Sequence, residues 1–102
     1  MNQKNVVIRV MRQYMEKTKA ALSSMEKSLK GGEWDSLRIE AHGIKGGGWN
    51  LEAKALGNAA AALEAAAKER NTGAAEKALE KLAAQHHRLA EHLKTLPDFA
   101  GK

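Results

Sequence analysis

The chain has 102 residues, no cysteine and a formal net charge of +5. That length makes one domain able to bury a core without cross-links, and the missing cysteine excludes disulfides, thiolate metal sites and a thiol nucleophile. Basic residues such as Lys4, Arg9, Arg12, Lys17, Lys19, Lys27 and Lys30 are interleaved with acidic ones and aromatics are scarce, which argues for a solvated basic surface and against a nucleic-acid arm or base-stacking platform.

Alanine, leucine, lysine and glutamate dominate, and the single proline, Pro97, lies near the end, so the composition predicts helix. The short apolar run Val6-Val7-Ile8 is cut by Arg9, which leaves neither a secretory signal nor a membrane span. We therefore expect a cytoplasmic protein. The first helix is predicted from about Asn5 to Lys30, with Val7, Met11, Tyr14 or Met15, Leu22, Met25 and Leu29 at the three-four spacing of one buried stripe. Gly31-Gly32 ends it, as glycine does at helix C-termini. A second helix begins near Glu33 or Trp34 and buries Trp34, Leu37, Ala41, Ile44 and Gly48, with the glycine run and Asn50 marking its end. The third covers about Leu51 to Arg70, its stripe built from Leu56, Ala60, Leu63 and Ala67. Asn71-Thr72-Gly73 is a turn in which Thr72 is the candidate cap. The fourth runs from about Ala74 to Leu96 on Ala75, Leu79, Leu82, His86, Leu89, Leu93 and Leu96. Four amphipathic helices on turns too short to cross a bundle predict an all-α, antiparallel up-down four-helix bundle, one domain over residues 1–102.

The second helix holds an unusual stretch, Ala41-His42-Gly43-Ile44-Lys45-Gly46-Gly47-Gly48-Trp49. Each glycine costs about 1 kcal/mol against alanine in a helix interior, so three in a row beside a histidine suggest that access matters there. On a helical projection His42 falls well over a right angle from the centre of the apolar stripe, on the solvent side. Asp35, Ile39, Gly43 and Gly46 lie near it in angle, Lys45 lies toward one edge, and Trp49 is two turns on. An apolar patch around a titratable group suggests docking, and Gly46 removes a side chain that would shield the imidazole. The chemistry suits phosphoryl transfer. An imidazole of ordinary pKa, about 6.5, is mostly neutral and nucleophilic at pH 7, and Lys45 is one turn away as a point charge for phosphate oxygens. No Gly-rich nucleotide loop and no acidic pair for magnesium is present, so the phosphoryl group has to come from another protein. The other histidines do not make a metal site: His86 and His87 are adjacent and His92 stands outside the three-four spacing that helical ligands need. His86 instead falls in the buried stripe, where a hydrogen-bonded core histidine is expected.

The stretch resembles the signature of the histidine-containing phosphotransfer (HPt) domains of multistep two-component relays. Their pattern is Ala-His-x-apolar-Lys-Gly followed by small residues, met here by Ala41, His42, Ile44, Lys45, Gly46, Gly47 and Gly48. Leu56 stands fourteen places after the histidine, the pair Leu63-Glu64 follows, and Trp34-Asp35 precedes it in the expected place. The likeness in helix order and spacing runs from about Val7 to Leu93. Two departures stand out: Glu52 occupies a turn position that is glycine in many members, and this chain is basic where the family is often acidic. The resemblance implies His42 as phosphoacceptor, Lys45 as phosphoryl contact and Gly46 as clearance; the angular patch around His42 makes Asp35, Ile39, Gly43 and Trp49 the docking face, with bundle packing the alternative for Trp49. It implies a monomeric phosphocarrier, not an enzyme, that relays between receiver-domain aspartates of response regulators and a sensor or hybrid histidine kinase. No cofactor is expected on the chain, the receiver supplying magnesium, and neither nucleic acid nor membrane is an expected partner. The alternative is a helical interaction or scaffold module whose histidine is never phosphorylated.

Overall fold

A computed structural model describes residues 3–45 and 51–95, with side chains described over 8–45 and 53–95. Four helices follow in order: α1 (Gln3–Lys30), α2 (Trp34–Ile44), α3 (Leu51–Lys68) and α4 (Thr72–Lys94). Each packs on its neighbours in chain order and α4 closes back on α1, the ring of an up-down bundle. No strand occurs among the described residues. The expected all-α architecture is therefore the observed one.

The stripes meet at a common core. Met11, Met15 and Met25 enter from α1, Leu37, Ala41 and Ile44 from α2, and Leu79, Leu82, Leu89 and Leu93 from α4. From α3 come Leu56 and Leu63 together with buried Ala53, Ala59, Ala60, Ala66 and Ala67. Side chains this small let neighbouring helix axes approach toward the lower end of the usual 8–10 Å spacing. Trp34, Leu22 and Leu29 pack on the core only in part. Buried Thr18, which the apolar stripe did not include, satisfies its hydroxyl by donating to the Tyr14 carbonyl one turn back at 2.8 Å. His86 is half-buried and its Nε2 lies 3.2 Å from the Met15 carbonyl of α1, the hydrogen-bonded role its position suggests. Leu96 lies outside the described residues.

The turns account for the helix ends. After α1, Gly32 takes a left-handed φ of +69°, Gly32 N–H donates to Leu29 O at 3.2 Å and Glu33 N–H to Ser28 O at 2.9 Å, the paired bonds of a Schellman motif. After α3 the same pairing recurs from Arg70 N–H to Ala67 O and Asn71 N–H to Ala66 O, but with Arg70 at φ +54° in the left-handed position. The cap of α4 is Asn71, whose side chain accepts from Ala74 N–H at 3.0 Å. Thr72, the expected cap, is the first helical residue instead; closing the turn on Ala66 leaves Asn71 extended, and its amide oxygen then reaches the free N–H groups. α2 stops at Ile44, before the glycine run, where the spacing carried its stripe on to Gly48. Lys45 leaves the helix with ψ 134°. Glycine is the weakest ordinary helix former, and α1 answers the open carbonyls: Tyr14 Oη donates to Ile44 O at 3.0 Å and Lys17 Nζ to Gly43 O at 3.2 Å.

Candidate functional site

α2 turns Leu37, Ala41 and Ile44 into the core, and the helical repeat then fixes what faces outward. Asp35, Ile39, His42 and Gly43 are exposed on that outer side, spaced by one and two turns. Ile39 is 60% exposed, one of the few large apolar side chains the described surface offers to water. The His42 side chain is 64% exposed. Gly43 has open space around it among the described residues: beyond its chain neighbours and the α2 backbone, a side-chain carbon built there meets the Lys17 ammonium at an ordinary 3.8 Å. No described side chain requires glycine at this position. Gly46 and Trp49, named with these residues on the sequence, lie outside the described residues, as does the side chain of Glu52.

On the α3 side of this face stands Glu64. One carboxylate oxygen is 2.8 Å from His42 Nδ1 and the other is 2.9 Å from Lys45 Nζ. The carboxylate is itself nearly buried, with 9% of its side chain exposed, between two groups that are largely open to water. These contacts hold the Glu64 carboxyl below the usual carboxylate range, the Lys45 hydrogen bond contributing most and the His42 bond next, against the opposing pull of burial. A carboxylate at Nδ1 accepts the proton on that nitrogen and so selects the tautomer whose lone pair is on Nε2. The two ring nitrogens are therefore not equivalent: Nδ1 is tethered, and Nε2 carries the free lone pair. This is the arrangement by which a carboxylate orients an imidazole in catalytic triads.

His42 and Lys45 are the exposed neighbours that helical spacing predicts, whereas spacing alone gives Glu64 no task. A signal was there. Glu64 follows Leu63 within the spacing of Ala60, Leu63 and Ala67, so it lies beside the packed face of α3, and a charge set there has to find partners. The contacts of Tyr14 and Lys17 with the end of α2 carried no comparable signal. Among the described residues no group of three histidine, aspartate or glutamate side chains could hold a metal ion, and no helix is long and apolar enough to cross a membrane.

The described residues thus form a four-helix bundle that presents a carboxylate-tethered, water-exposed imidazole on its second helix. The family model of the Hpt domain matches residues 9–96, and the chain belongs to that family. No curated protein and no solved structure matched the chain. Hpt domains are phosphocarrier modules of two-component phosphorelays, in which they meet receiver domains and histidine kinases.

Proposed function

We propose that this chain carries a phosphoryl group on His42 Nε2 between the aspartates of receiver domains in a multistep relay. The observation that carries the proposal is the 2.8 Å contact between His42 Nδ1 and Glu64 on a ring that is 64% exposed. It orients the ring without covering it. In the accepting step the Nε2 lone pair attacks the phosphorus of an aspartyl phosphate on a docked receiver. The P–O bond to that aspartate breaks, its carboxylate leaves, and a P–N bond forms in line through a metaphosphate-like transition state. The ring keeps its Nδ1 proton and becomes cationic as the bond forms. Glu64 lies against that developing charge, so the favourable interaction grows toward the transition state rather than being spent on the resting protein. The delivering step is the same sequence reversed onto a second aspartate.

Lys45, on the same carboxylate, is the phosphoryl contact of this reading: its three ammonium donors can serve Glu64 and a phosphoryl oxygen together. Asp35, Ile39 and Gly43 are the docking face around His42, with Gly46 and Trp49 assigned to it from the sequence. Magnesium comes with the receiver. The chain acts as a monomer and as a carrier, taking its phosphoryl group from a sensor-kinase receiver and passing it to a response regulator in the cytoplasm. The test is incubation with a panel of phosphorylated receiver domains followed by intact-mass measurement. The wild-type chain should gain one acid-labile phosphoryl group and His42→Gln none. A wild-type chain left unlabelled by every receiver, or a His42→Gln variant that still takes label, would sink the proposal.

A further inference from the structure

We infer that Lys17, on α1, is a second phosphoryl-binding cation, serving the flank of His42 that Lys45 does not reach; this rests on the reading of His42 given above. The geometry is two-sided. Glu64 holds Nδ1 from the α3 side, and Lys45 Nζ is on the same carboxylate at 2.9 Å. The Nε2 edge of the ring is consequently turned away from α3. Lys17 comes from the opposite neighbour of α2. Its Nζ donates to the carbonyl of Gly43, the residue directly after His42, at 3.2 Å, and among the described residues beyond α2's own backbone and the two chain neighbours it is the atom that a Gly43 side chain would meet, at 3.8 Å. Both groups are open to solvent, so no packed side chain walls the ammonium off from the outer face.

The charges point the same way. Lys17, Lys45 and Glu64 together carry one net positive charge, whereas a phosphoryl group brings roughly −1.5 to −2 at neutral pH. Lys17 has a neutral carbonyl as its resting partner. A bond to an anionic oxygen is about twice as strong as one to a neutral acceptor, and an ammonium on a flexible four-carbon stem can keep the Gly43 carbonyl while adding a phosphoryl oxygen. A lysine kept only to close the end of α2 would give its bond to Gly43 O and be indifferent to the state of His42.

The experiment uses phosphoramidate, which needs no receiver. Its P–N bond breaks, ammonia leaves, and a P–N bond to His42 Nε2 forms on the full chain. The phosphorus resonance of the phosphorylated chain is then followed against pH in wild type, Lys17→Gln and Lys17→Arg, with His42→Gln as the labelling control. An adjacent cation favours the dianionic phosphoryl group. Lys17→Gln should therefore move the titration midpoint upward by about half a pH unit at an exposed site, and Lys17→Arg should return it to the wild-type position. The readout is taken on folded protein at a temperature below the melting of all variants, so lost stability does not mimic it. If His42 is phosphorylated and the midpoint is the same in Lys17→Gln, Lys17 is a helix-end contact only and the inference fails alone. If the wild type takes no phosphoryl group, or His42→Gln takes as much, the assignment of His42 fails and Lys17 falls with it.

Discussion

Glu64 is one carboxylate with two cationic or proton-donating neighbours, and its removal separates orientation from access. Glu64→Gln keeps an oxygen for His42 Nδ1–H but loses the charge that faces the ring as it turns cationic. We expect phosphoryl acceptance from a given phosphorylated receiver to slow roughly tenfold or more, in the direction seen when the carboxylate that orients a triad imidazole is neutralised, while His42 stays as exposed as before. A rate within about twofold of wild type would show that the tether does not assist the chemistry. The same residue ties stability to acidity. Its carboxyl titrates lower in the folded chain than its ordinary value of 4.5. In the interval between the two values the unfolded chain binds more protons, so the contribution of Glu64 is complete above about pH 4.5 and is lost as pH falls through the folded value. Denaturant titrations at about pH 3 and about pH 6 should show a larger acid loss in wild type than in Glu64→Gln; equal losses would contradict it. The exposure of His42 was legible because the angular position of a residue on a helix follows from its own spacing. The contact with Glu64 was not, because spacing fixes a face and leaves open which residue of the next helix stands at the same height.

The two turns at the α1–α2 and α3–α4 ends are built alike and filled differently. Gly32 sits in the left-handed region at no steric cost, whereas Arg70 holds φ +54° with a β-carbon in place. An L-residue loses roughly 1–2 kcal/mol there, part of which a glycine forfeits through its greater freedom when unfolded. Arg70→Gly should therefore stabilise the chain by up to about 1 kcal/mol, read as a higher urea midpoint with an unchanged slope. Arg70 also lines a recess at the start of α2 together with Trp34 and Asp35. A lower midpoint in Arg70→Gly would mean that these contacts outweigh the backbone strain. The first turn was plain from Gly31-Gly32. The second was harder to read, because Asn71 and Thr72 are both good caps and only the backbone closure onto Ala66 decides between them. The end of α2 was likewise misplaced by one turn, since the side chains that close it come from α1, some thirty positions earlier in the chain.

Over the whole molecule the short connections gave the ring of helices away in advance, and the three-four stripes named most of the core. What they could not rank is how heavily α3 depends on small side chains, with Leu56 and Leu63 the large fully buried ones among its described side chains. Leu56→Ala should cost about 2–5 kcal/mol, against a change within about 0.5 kcal/mol for Ile39→Ala at the surface. Chemical denaturation of the two variants side by side checks this, and similar losses would mean that Ile39 is packed in solution. α2 has 11 residues and α1 has 28, so the histidine rides on the bundle's shortest rod, with three core side chains beneath it. In deuterium oxide its backbone amides should trade protons sooner than those of α3, through brief local opening rather than global unfolding. A partner that seats on the outer face of α2 would slow that exchange, which turns the shortness of the helix into a natural footprinting signal for whatever protein comes to collect its cargo.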